Sequence, residues 1–183
     1  MAFSNKRGAD SKEKSEGSAP RVLSPEKQES RARNVLLFQL SKGAKSTKQL
    51  RDILQRREID EAIAEQVIVR FTEVGLIDDK AFAQTLVSSR TKFKGLSISA
   101  IRRELNQKGV SPEIIDEALA DVTTEVERAQ AFDLASRRIR QMSNLAPEVR
   151  QRRLAGYLGR KGYPSATVFA AIKNAEQEVK SEL

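Results

Sequence analysis

An all-α fold is what this sequence predicts, built as three tandem three-helix repeats in an elongated, curved array of either hand. Three observations predict it. First, the stretch Leu54-Gln-Arg-Arg-Glu-Ile59 returns as Leu105-Asn-Gln-Lys-Gly-Val110 and again as Leu158-Gly-Arg-Lys-Gly-Tyr163, at offsets of 51 and 53 residues. The nine residues after each stretch also match, from Asp60 to Ile68, Ser111 to Leu119 and Pro164 to Ile172. Second, apolar residues recur at three- and four-residue spacing, as in Leu50, Ile53 and Leu54, the period of one helix face. Third, aromatics are only 5% of the chain and tryptophan is absent, which disfavours a strand-rich core.

Taken in order, residues 1–23 are Lys, Ser, Gly and Glu with little to bury, and read as a disordered charged tail. The first repeat, 24–76, opens at Ser24-Pro25-Glu26. Serine caps orphan amides, proline fits the first helical position and glutamate suits the positive end of the dipole. Its helices are expected over 25–41, 46–57 and 61–74. The second repeat, 77–122, should hold helices over 79–93, 98–108 and 112–121, the last introduced by Ser111-Pro112-Glu113. The third, 123–183, should hold 125–142, 147–161 and 165–179 and finish in a short charged segment. Its first helix is announced by Thr124-Glu125-Val126-Glu127, the spacing of a capping box. Gly109 and Gly162 stand where a helix C-terminus wants a left-handed residue, and Glu58 departs from that pattern in the first repeat. Three short helices bury little alone, so stacking on neighbours is the physical reason for repetition.

The junction Gly75-Leu-Ile-Asp-Asp-Lys-Ala-Phe-Ala83 sets two aspartates side by side. Successive helical residues point about 100° apart, poor geometry for a shared metal or an acid pair. An architectural role fits better. Gly75 ends one helix in the left-handed region, and Leu76 packs back over it. Asp78 caps the next helix, worth about 1 kcal/mol. Asp79, at the first helical position, gains about 0.3–1 kcal/mol from the dipole. Ile77 and Phe82 have the spacing of a hydrophobic staple.

Catalytic players are few. The chain has no His and no Cys, which removes the commonest general base, thiol nucleophiles and the usual zinc ligands. No metal or cofactor is expected. Gly43-Ala-Lys-Ser-Thr47 lacks the glycine that a phosphate loop needs before its lysine, so it reads as a helix connection. No apolar run approaches the roughly 18–20 residues of a membrane span, and the N-terminus lacks a signal-peptide core. A cytoplasmic, monomeric, non-enzymatic protein is the expectation.

Binding is the better prospect. Net charge is +8, which favours a polyanionic partner or an acidic protein surface. From Arg128 to Lys161 nine basic residues stand against Asp133 and Glu148 alone, and they include Arg137, Arg138 and Arg140. On the helix 147–161, Arg150, Arg153, Arg160 and Lys161 fall on one arc around Tyr157, a combination suited to reading phosphate or carboxylate. Arg102, Arg103 and Lys108 project from the equivalent helix of the second repeat. A solvated Arg-rich face is the competing reading of the same residues.

The junction stretch, with Ile101-Arg-Arg-Glu-Leu-Asn-Gln-Lys-Gly-Val110 and Leu154-Ala-Gly-Tyr-Leu-Gly-Arg-Lys-Gly-Tyr163, resembles the RecX family, small regulators of the RecA recombinase. The resemblance covers roughly residues 30–175. It implies tandem three-helix repeats and a non-enzymatic inhibitor bound within the groove of the RecA filament on single-stranded DNA. There it would suppress ATP hydrolysis, strand exchange and co-protease activity, in the setting of recombination, DNA repair and the SOS response. The alternative is a direct binder of single- or double-stranded DNA that uses its three-helix units like helix-turn-helix modules.

Overall fold

Leu54, Leu105 and Leu158, the residues that begin the repeated stretch, are each completely buried, one in each of three separate cores. The computed structural model describes residues 23–181, and among them it holds nine α-helices, one short π-helical turn and no strand. The first unit is α1 (Pro25–Ser41), α2 (Thr47–Arg56) and α3 (Glu61–Glu73). The second is α4 (Asp79–Ser89), the π-turn Arg90–Lys94, α5 (Ile98–Gln107) and α6 (Pro112–Leu119). The third is α7 (Thr124–Arg140), α8 (Pro147–Arg160) and α9 (Ser165–Ser181). The predicted tail, apart from Leu23, lies outside the described residues.

Equivalent positions fill equivalent places. Leu50, Ile101 and Leu154 are buried one turn before the shared leucine; Ile59, Val110 and Tyr163 close the turn after it. Ala64, Ile115 and Val168, then Ile68, Leu119 and Ile172, supply the third helix of each unit. Each full burial of such an aliphatic side chain contributes about 1.5–3 kcal/mol. Every extensively packed pair of helices lies within one unit, so neighbouring units meet over small areas, at narrow joints and around the π-turn.

The second helix of every unit ends in the same left-handed turn. The amides of Ile59, Val110 and Tyr163 reach back to the carbonyls of Leu54, Leu105 and Leu158, at 3.2, 3.2 and 3.3 Å. The residue before each has positive φ: +57° at Glu58, +73° at Gly109 and +88° at Gly162. This paired pattern satisfies carbonyls that a helix end would leave orphaned. Glycine is demanded twice over at 109 and 162, because a side chain there would run into Lys48, or into Ala100 and Ser97, of the preceding unit. Glu58 is exposed, and among the described residues no other unit packs against it, so a side chain there is tolerated.

The joints depend on those turns. Ser46, the N-cap of α2, is fully buried and donates its hydroxyl to the Lys108 carbonyl at 2.5 Å. Ser97, the N-cap of α5, donates its amide to the Lys161 carbonyl at 3.0 Å, and Ser99 donates to the Gly162 carbonyl at 2.9 Å. The N-terminus of one middle helix therefore abuts the C-terminus of the next, dipole to dipole. A carboxylate from the following unit completes each joint. Asp79 accepts from the Thr47 amide at 2.8 Å, and Glu127 accepts from the Ile98 amide at 2.7 Å.

Several local expectations need correction. Asp78 does cap α4, accepting from the Ala81 amide at 2.9 Å. Leu76, however, is 50% exposed, and Ile77 buries in the first core while Phe82 belongs to the second, so the two do not form a staple. Ile77 is the last residue of the first core, although the sequence pattern puts it at the start of the second repeat. Ser24 takes the N-cap backbone geometry but its side chain caps no amide. The cap of α7 is Thr123, one residue earlier than expected, and Glu127 serves the joint instead of a capping box. The helix predicted over 79–93 stops at Ser89, because the chain widens into the π-turn before Gly95 at φ +57°.

Gly162→Ala should destabilise the chain by about 2–4 kcal/mol, combining left-handed strain with overpacking against the rigid first turn of α5. Glu58→Ala, at the unpacked equivalent, should change stability by no more than about 0.5 kcal/mol. Urea denaturation followed by circular dichroism measures both.

Candidate functional site

Four turns of α8 carry Arg150, Arg152, Arg153, Tyr157 and Arg160, and α7 ends in Arg137, Arg138 and Arg140. Leu154 and Leu158 anchor α8 in the third core, so the polar faces on either side of that seam are fixed in direction. Between α7 and α8 lies a pocket of about 470 Å³ lined by Arg138, Arg152, Arg153, Tyr157 and Arg160, with Gln141 and Met142 at its α7 end. No carboxylate lines it. Among the described residues, Arg152, Arg153 and Arg160 make no hydrogen bond or ion pair. Arg138 donates to Gln141 at 3.1 Å and lies 5.5 Å from the Tyr157 ring centre; Lys161 lies 5.1 Å from the same ring. Cation–π contacts of this kind contribute about 0.5–1 kcal/mol at an exposed site and hold the cations in place.

The structure divides the predicted residues. It brings together Arg138, Arg153, Tyr157, Arg160 and Lys161. Arg137 turns back to the Asp133 carbonyl at 3.2 Å, and Arg140 pairs with Glu178 of α9 at 3.6 Å. Arg150 does not line the pocket; it is half-buried, with its Nε enclosed and lacking an acceptor. In the second unit, Arg102 pairs with Asp116 at 2.5 Å and Arg103 reaches the Gly162 turn across the joint. Lys108 engages the first joint through its backbone carbonyl. Arg152 was missed by helical-arc reasoning. It sits on the far side of the arc drawn around Tyr157, between two grooves, and lines the pocket with Arg138 only because α7 supplies the other wall.

The Arg102–Asp116 pair also has a sequence-equivalent partner in the first unit. Arg51 and Glu65 occupy the same positions and pair at 2.9 Å. In the third unit those positions are Ala155 and Phe169, and a mainly apolar groove of about 560 Å³ opens between α8 and α9. Phe169 is 74% exposed on its lip. The third unit has thus exchanged a shared surface ion pair for apolar surface on one side, while concentrating unpaired guanidinium groups on the other.

Titration is perturbed mainly at structural positions. Burial, then the charge of Glu127, pushes the Tyr163 hydroxyl well above its usual range, and that hydroxyl donates to the Gly95 carbonyl at 3.2 Å. The Arg90 guanidinium, which grips Glu104 at 2.6 and 2.7 Å, holds the Glu104 carboxyl below its usual range. Among the described residues no cluster of three or more His, Cys, Asp or Glu could hold a metal ion. No helix among them is long and apolar enough to cross a membrane.

Comparison with known proteins finds the RecX family in three consecutive matches. Residues 32–71 match RecX, first three-helix domain; residues 78–119 match the second; residues 125–172 match the third. The Regulatory protein RecX of Streptomyces lividans is 44% identical over 147 residues, spanning 80% of this chain and 78% of that one. That of Amycolatopsis mediterranei is 33% identical over 163 residues, spanning 89% and 93%. The crystal structure of RecX from Lactobacillus salivarius superposes with a TM-score of 0.71 at 22% identity, covering 83% of this chain and 99% of that one. A second crystal structure of a regulatory protein RecX gives 0.67 at 27% identity, covering 82% and 73%.

Replacing Arg153 and Arg160 together by Ala should leave helicity unchanged and stability within about 0.5 kcal/mol, because neither guanidinium holds the fold together. The same variant should elute from immobilised heparin at lower salt than the parent chain.

Proposed function

Because this chain belongs to the RecX family of regulatory proteins, we propose that it regulates the RecA recombinase as a cytoplasmic inhibitor. It binds the RecA filament on single-stranded DNA and lowers the filament's ATP hydrolysis, strand exchange and co-protease activity. The observation that carries this reading is the pocket of unpaired guanidinium groups around Tyr157, set at one end of a row of three jointed units. A filament of protein on DNA offers both acidic side chains and phosphates, and Arg recognises either through charge-assisted, bidentate hydrogen bonds. A row of units can meet several subunits of a filament at once, and individually weak contacts then add through effective concentration. The family is one of regulators, and the side-chain chemistry agrees with a role in binding.

A second reading is supported by the same pocket. Tyr157 flanked by Arg138 and Lys161 also suits a nucleic-acid backbone, so the energy of filament binding would come in part from DNA. The two readings separate by salt. Binding to naked DNA that falls steeply with salt favours a direct phosphate contribution.

Titrating the chain into RecA turning over ATP on single-stranded DNA should slow hydrolysis at amounts well below RecA stoichiometry. Normal hydrolysis at equimolar chain would refute the proposal. The Arg138→Glu, Arg153→Glu, Arg160→Glu variant should lose most of the inhibition while retaining its helical circular dichroism.

A further inference from the structure

The π-turn Arg90–Lys94 is held unusually well for a segment between two helices. Arg90 grips Glu104 of α5 with two hydrogen bonds, at 2.6 and 2.7 Å. Gln130 of α7 donates to the Thr91 carbonyl at 2.5 Å, and the Lys161 ammonium donates to the Lys94 carbonyl. Tyr163 donates to Gly95 at 3.2 Å, and Gly95 sits so close to Leu134 that a side chain there would collide with it. The turn is tied down from α5, α7 and the segment just after α8. Yet the residue it displays, Phe93, is 86% exposed, more than any other large apolar side chain among the described residues. A π-turn adds a residue to a helical turn, and such turns recur at functional sites. Here a rigid support holds an aromatic ring out in water.

The surroundings of that ring are basic. Lys92 and Lys94 flank Phe93 in sequence, and neither has an ion-pair partner among the described residues. No carboxylate occurs between Arg90 and Gly95, and Glu104, the nearest one engaged with the turn, is occupied by Arg90. Lys161 links the turn to the Tyr157 pocket, since its ammonium bonds the Lys94 carbonyl and lies 5.1 Å from the Tyr157 ring. An exposed aromatic meant for a protein pocket is typically ringed by surface depleted in lysine. An aromatic set among lysines and arginines is the composition of surfaces that bind single-stranded nucleic acid, where bases stack on rings and cations track the phosphates.

We propose that Phe93 is a stacking platform for an unpaired nucleobase, with Lys92 and Lys94 taking the flanking phosphates of a single strand. The site lies outside the guanidinium pocket and does not depend on whether RecA is the regulated partner. Duplex DNA, whose bases are stacked on one another, offers it no free face.

The chain contains no tryptophan, so Phe93→Trp gives a single tryptophan reporter at the ring itself. A thymidine homopolymer should quench that fluorescence saturably, and a base-free deoxyribose-phosphate oligomer of equal length should not. Phe93→Ala should weaken homopolymer binding about tenfold or more, with binding of the base-free oligomer unchanged. Fluorescence indifferent to bound homopolymer would overturn the proposal. So would equal weakening of both ligands, or no weakening of either, in Phe93→Ala. Loss of RecA inhibition in Phe93→Ala with homopolymer binding intact would assign the ring to a protein pocket and overturn it likewise, while leaving the RecA reading standing.

Discussion

The head-to-tail meeting of α2, α5 and α8 is the constraint on which the rest of this structure depends. Each unit's core is small and closed within three helices, so the joints, helped by the third unit's ties to the π-turn, align one unit with the next. A joint works because a helix start offers bare amides and a helix end offers bare carbonyls. Bringing them together satisfies both, and the favourable alignment of the two dipoles adds to it. The left-handed turn is a precondition: only glycine at 109 and 162 lets the preceding helix come close enough for Ser46 and Ser97 to reach the carbonyls. Asp79 and Glu127 then fill the amide positions that the turn leaves uncovered.

With the scaffold fixed in this way, the surfaces of the units are free to diverge. Arg51–Glu65 and Arg102–Asp116 are the same exposed ion pair in two units, and pairs of that kind contribute little to stability. Losing the pair in the third unit therefore cost the fold little and opened a different surface. The basic pocket arises similarly, from Arg152, Arg153 and Arg160 of α8, which make no hydrogen bond or ion pair among the described residues, beside Arg138 of α7. The π-turn is the third such departure, confined to the second unit, and its anchors come from three surrounding elements rather than from its own sequence.

Much of the fold was legible because it is local and periodic. The repeated Leu, cap and glycine signals marked the helices, and their bounds fall within two residues of those expected except at α4. The joints were not legible. Asp79 looked like a dipole-favouring residue in the first turn of its own helix, and nothing within a few positions signals that its carboxylate reaches Thr47. Glu127 looked like the fourth member of a capping box for the same reason. Periodicity placed Arg153, Tyr157 and Arg160 on one arc but could not see α7, so Arg152 and the diversion of Arg140 to Glu178 were out of its reach. Leu76 and Ile77 show the limit at its smallest scale. Both are apolar and adjacent, and which of them turns inward depends on the backbone of the joint rather than on composition.

Glu58 gives the row a beginning. The start of another copy's α8, the middle-helix N-terminus that no joint occupies among the described residues, would meet a side chain there in the place where glycine yields. At the opposite end, α8 starts at Ala146-Pro147, which offers neither the hydroxyl that Ser46 supplies nor the first-position amide that Thr47 and Ile98 supply. Neither end therefore presents the complementary half of a joint. The chemistry that threads the three units together is thus altered at both outer ends of the described row.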